Sequence, residues 1–174
     1  MEPLDLKNGG NIYSLISPGI YRIDDPIEDS LYTDPLNEQQ ITEKLNRRLI
    51  WKVNNDGLVE INFEIGISYL DSHARGGQVF LQGWITEFYN PNDLVTELDL
   101  VGAIYQFYNQ EVTEELINRI TIGNTRNIQR LKDIIKTLWD DGNSRNLREF
   151  LSYKLFASFE YHPREGKYFV TMRR

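Results

Sequence analysis

Residues 49–70 read LIWKVNNDGLVEINFEIGISYL, and this stretch sets the expected fold class. Asp56-Gly57 is a hairpin-turn dipeptide, because glycine accepts the positive φ that a tight two-residue turn demands. After it, Val59, Ile61, Phe63, Ile65, Ile67 and Tyr69 alternate with Glu60, Asn62, Glu64, Gly66 and Ser68. A period of two held this long predicts a strand with one core face and one wet face. The next apolar run, GQVFLQGWITEFY at 77–89, places Phe80, Trp84 and Phe88 on one side. Val79, Leu81, Ile85 and Tyr89 fall on the other, so this second strand is expected to be covered on both faces.

Either side of this ribbon the pattern changes. GIYRI at 19–23 reads as a first strand, and Asp34-Pro35 as a helix start, with a capping oxygen followed by proline where a missing N–H costs nothing. That helix is expected to run to about Arg48. Downstream, Leu94, Leu98, Val101, Ile104, Tyr105 and Tyr108 share one helical face, capped by Asn92 or Asp93, with Glu97 inside the apolar stripe. TEELINRI at 113–120 and NIQRLKDIIKTLW at 127–139 predict two more helices, and Ser144 to about Leu155 a fourth. FASFEYHPREGKYFVTM at 156–172 reads as a closing hairpin.

The expected fold is therefore α+β. One domain spans 1–174 with an irregular, acidic segment at 1–33. An antiparallel sheet carries a long β-ribbon at about 49–89, packed by three to four helices and closed by a C-terminal β-hairpin.

Composition bounds the chemistry. With no cysteine among its 174 residues, the chain has no disulfide, no thiolate nucleophile and no cysteine-ligated metal. The start, MEPLDLKNGGNIYS, lacks the basic-then-apolar pattern of a secretory signal. No run approaches the length of a transmembrane helix, so the expected location is cytoplasmic, in a host cell or within a virion if the chain is viral. A net charge of −7 weighs against general nucleic-acid binding, where phosphate neutralisation dominates. The charge is uneven: residues 1–125 hold 8 basic and 20 acidic side chains, residues 126–174 hold 11 and 6. Such a dipole can orient self-association, and equally can be acidic loops outweighing one basic helix.

Candidate catalytic residues are few. Asp71, Ser72, His73 and Arg75 lie together in DSHARGG at 71–77. A histidine with a carboxylate on its second nitrogen is a general base, yet no rigid G-x-S-x-G turn accompanies it, and polar residues with two glycines also make a long hairpin loop. Glu97, if buried, would have a raised pKa suited to acid–base work. In the first helical turn it would equally be a dipole-stabilised carboxylate with its tip in water. Neither histidine has metal-ligand spacing, the acidic run Asp24, Asp25, Glu28 and Asp29 lacks the order of a calcium loop, and no phosphate-binding glycine motif occurs. No cofactor and no metal are expected.

Arg126, Arg130, Lys132 and Lys136 form the basic face of the third helix and the one candidate nucleic-acid surface. Ten tyrosines and three tryptophans favour association instead, since such side chains concentrate at interface centres. The reading is a non-catalytic interaction or assembly module. It acts on itself as a homo-oligomer or on a protein partner, through Trp84, Phe88, Phe80 and Tyr89, without membrane contact. A small cofactor-independent hydrolase or isomerase using Asp71 and His73 is the alternative, and nucleic-acid binding through the basic last third is the third reading.

Overall fold

The computed structural model describes residues 3–6, 45–70, 78–119, 121–122, 129, 133, 146–152 and 155–173, with backbone alone at 68–70, 78–81, 121–122, 155 and 173. The order is β1 (Leu4–Asp5), β2 (Leu49–Ile50), β3 (Val59–Leu70), β4 (Gln78–Tyr89), α1 (Glu97–Tyr108), α2 (Glu114–Arg119), β5 (Thr121–Ile122), a 3-10 turn (Leu147–Phe150), β6 (Leu155–His162) and β7 (Lys167–Arg173). Helices and strands are mixed, and the strands form two sheets. β1 and β2 pair parallel, while the larger sheet has the order β5-β4-β3-β7-β6.

β3 forms because alternation lets every second side chain enter the core. It pairs antiparallel with β4 from Val59↔Tyr89 to Leu70↔Gln78. On its other edge it pairs parallel with β7, Ile61 against Tyr168 and Phe63 against Val170. β6 and β7 make an antiparallel hairpin whose turn uses Gly166 at φ +67°, where a side chain would be strained.

The inner sheet face carries Ile61, Phe63, Ile65, Ile85, Tyr168 and Val170, all buried. α1 covers it: Phe107 stacks on Phe63 with ring centroids 4.0 Å apart, and the Tyr108 hydroxyl donates to the Glu64 carbonyl at 2.9 Å. Each large apolar side chain so buried contributes roughly 1.5–3 kcal/mol. Thr96 starts α1 with a capping box: its hydroxyl accepts from the Asp99 amide, and the Asp99 carboxylate accepts from the Thr96 amide at 2.9 Å.

Several expectations are corrected. Where a layer of three to four helices was expected, the described residues contain two α-helical elements, and α2 has only six residues. The helix expected to reach Arg48 does not include residues 45–48, where Arg48 instead bridges antiparallel to Thr96. Within the helix expected from Ser144 to about Leu155, the described residues 146–152 hold a 3-10 turn at Leu147–Phe150, and Leu155 opens β6. The cap of α1 is Thr96, not Asn92 or Asp93, because only Thr96 has a carboxylate three residues on to complete the reciprocal bonds.

The ribbon over 49–89 is corrected too. Asp56-Gly57 does turn the chain, with Gly57 at φ +76° and Asn54 Oδ1 accepting from the Asp56 and Leu58 amides at 2.9 and 3.0 Å. The segment before the turn, however, leaves β3. Leu49–Ile50 pairs with β1, the Trp51 indole N–H donates to the Leu94 carbonyl at 2.6 Å, and the Lys52 amide donates to the Tyr168 hydroxyl at 2.7 Å. β3 and β4 are inner strands of a mixed sheet, since β7 inserts parallel beside β3. The strand at 19–23, the helix start at 34–35, the loop at 71–77 and the helix at 127–139, apart from Gln129 and Asp133, lie outside the described residues.

Candidate functional site

The sheet's outer face carries Trp84 and Phe88, two of the four residues expected at an interface. Alternation along β4 puts Trp84, Thr86 and Phe88 outward and Ile85 inward, where Ile85 is buried. Register along β7 and β6 puts Phe169 and His162 on the same outer face. The Trp84 and Phe169 rings meet edge-on, 5.2 Å between centroids at 87°, and Phe169 stacks on His162 at 4.2 Å.

This ring row crosses β3. β4 and β7 flank β3, so their side chains start roughly 10 Å apart and Trp84 meets Phe169 above the middle strand. Asn62 and Glu64, which the alternation assigned to a wet face, lie beneath and are only 5% and 6% exposed. Asn62 is satisfied there, donating to the Tyr168 carbonyl at 3.2 Å and accepting from the Thr86 hydroxyl at 2.5 Å. Burial pushes the Glu64 carboxyl above its ordinary value of 4.5, against the pull of hydrogen bonds from the Gln82 side chain and the Met172 backbone.

Around this row the face opens to water. Phe88, opposite Glu60, is 54% exposed, the most exposed large apolar side chain among the described residues. Lys167 Nζ lies 3.4 Å from Glu60, and His162 sits between Glu165 at 3.1 Å and Glu160 at 3.7 Å. Both signs of charge therefore ring an aromatic centre.

The four expected interface residues separate. Trp84 and Phe88 share the outer face. Tyr89 points inward, its ring 6.5 Å from Phe63, and burial pushes its phenol pKa up. Phe80 pairs with Ser68, and its side chain lies outside the described residues. Phe169 and His162 escaped the sequence reading, although KYFVTM alternates and so already gave Phe169 the face opposite Tyr168.

Of the candidate catalytic residues, Asp71 and His73 lie outside the described residues, as do Arg126, Arg130, Lys132 and Lys136. Glu97 is described, and it is a brace. Its carboxylate is fully buried, and Oε1 accepts from Arg47 Nε at 2.9 Å and Nη2 at 2.6 Å. The Glu97 amide donates to the Arg47 carbonyl at 3.1 Å, so backbone and side chain together hold residues 45–48 on the start of α1. Oε2 has no hydrogen-bond partner among the described residues. Burial raises the pKa of this carboxyl while Arg47 pulls it down, and burial wins. The tip does not reach water, as a dipole-stabilised surface carboxylate would.

Among the described residues no group of three histidine or acidic side chains is placed to hold a metal, and no helix is long and apolar enough to cross a membrane. The chain matches no protein-family model, no curated protein and no solved structure.

Proposed function

We propose that the chain is a non-catalytic protein-interaction module, and that its outer sheet face pairs with a second copy of itself. The observation that carries this reading is Phe88, more than half exposed on the same face as the ring row of Trp84, Phe169 and His162. Aromatic side chains at the centre of a polar-rimmed patch are what interface centres are built from. The rim supports a self-complementary pairing. Two copies related by a twofold axis bring one patch against itself, so the patch needs both charges, and Glu160 and Glu165 here share it with Lys167.

Light scattering on the full chain tests the proposal. The wild-type mass is expected to exceed the 20.5 kDa of one chain and to fall on dilution, while Phe88→Asp stays at the monomer mass. A wild type that remains a monomer at every concentration removes self-pairing as the function.

A further inference from the structure

Apart from Phe88, the exposed apolar side chains collect in one place. Four large apolar side chains are exposed among the described residues, and three of them, Ile50, Val53 and Val95, line a single groove of about 390 Å³. Its volume falls at the low end of ligand-binding clefts. Scattered single apolar residues are ordinary on a surface, whereas these three gather in one concavity.

The groove is built on fixed elements. Trp51, in its wall, is held by its indole N–H on the Leu94 carbonyl at 2.6 Å and by edge-on packing against Phe159 and Tyr168. The Leu49 amide donates to the Val95 carbonyl at 2.9 Å, which ties two sides of the groove together. A site preformed in this way loses little entropy when it is filled.

Its charge is one-sided. Arg48 is the single charged residue of the lining; it is exposed and forms no ion pair among the described residues, in a chain whose acidic residues outnumber its basic ones by 26 to 19. Arg48 and Ile50 lie two apart around the buried Leu49, so both stand on the same side of the chain, roughly 6.6 Å from each other. An extended partner lying alongside would have its own same-side residues at that spacing.

We infer that this groove binds an extended protein segment with a carboxylate at one position and an aliphatic side chain two residues later, the first on Arg48 and the second among Ile50, Val53 and Val95. The contact is separate from the outer sheet face.

The experiment is a ¹⁵N chemical-shift titration of the full chain with the capped peptide Asp-Ser-Ile-Ser-Val. Its companions are the same peptide with Asn for Asp, and sodium acetate as a small-anion control. Shifts are expected at the amides of 48–53 and 92–95. The affinity is expected to fall about tenfold with the Asn peptide and in Arg48→Glu, the size of one charge-assisted contact. Val53→Asp, a surface change that leaves Arg48 in place, is expected to weaken binding similarly, and Phe88→Asp to leave it unchanged. Equal binding of the Asp and Asn peptides, shifts centred elsewhere, the same shifts with acetate, or no shifts at all would each overturn the inference.

Discussion

The two faces of the central sheet use aromatic side chains in opposite ways. On the inner face Phe63 and Phe107 stack under α1 and are almost wholly buried, so their contribution is to the core. On the outer face Trp84 and His162 each pack on Phe169, and Phe88 on the same face is left in water. Only the inner row has a helix over it among the described residues. What separates the faces is what lies beneath the rings. The inner row lies within the buried apolar core, whereas the outer row covers Asn62 and Glu64, which are polar and nearly buried.

If this contrast holds, substitutions on the two faces separate stability from association. Phe63→Ala is expected to have the largest effect, lowering stability by about 3–5 kcal/mol through lost burial and a residual cavity, as read by urea unfolding. Glu97→Ala comes next at about 2 kcal/mol, because it strips both Arg47 hydrogen bonds from a site that excludes water. The double variant Arg47→Met with Glu97→Leu is expected to recover most of that loss, since an apolar pair of similar volume has no charge to desolvate.

Glu64→Gln is smaller and of opposite sign. The raised Glu64 pKa means that the folded chain keeps a proton where the unfolded chain, at 4.5, has released it. Between those two values the native state binds more protons, and stability falls as pH rises. The charged carboxylate therefore imposes its full cost above the raised value and none below 4.5. Glu64→Gln is expected to stabilise by about 1 kcal/mol or less at neutral pH, with the gain fading as the pH falls toward that window. A gain that grew on acidification would break the assignment of Glu64 to a dry site.

Phe88→Asp is expected to be the smallest for stability, within about 0.5 kcal/mol of wild type, because the side chain is already exposed. Its whole effect should fall on association. A large loss of stability in the variant would mean that Phe88 belongs to the core after all.

The sequence was legible where local rules act alone. Alternation from Val59 to Ile67 placed the inner face residue by residue, and Asp56-Gly57 marked a real turn, with Gly57 at positive φ. It was misleading where distant segments decide. The same alternation made Asn62 and Glu64 look wet, and nothing near them in the chain announces that Trp84 and Phe169 close above them. The parallel pairing of β7 with β3 brings together residues some hundred positions apart, which is why a simple antiparallel ribbon was expected instead. Thr96 and Asp99 have the spacing of a capping box, which competes in the sequence with Asn92 and Asp93 four and three residues earlier. For Glu97, the helical stripe suggested burial, but the Arg47 partner fifty residues earlier could come only from the fold.

Hydroxyl-radical footprinting of the wild type at low and high protein concentration tests the central claim most directly, because it reads individual rings on both faces in one experiment. Self-pairing predicts that oxidation of Phe88 falls as the protein is concentrated, while Phe63 stays unreactive throughout. Oxidation of Phe88 that is the same at every concentration would contradict the account, and the outer face would then not be the contact.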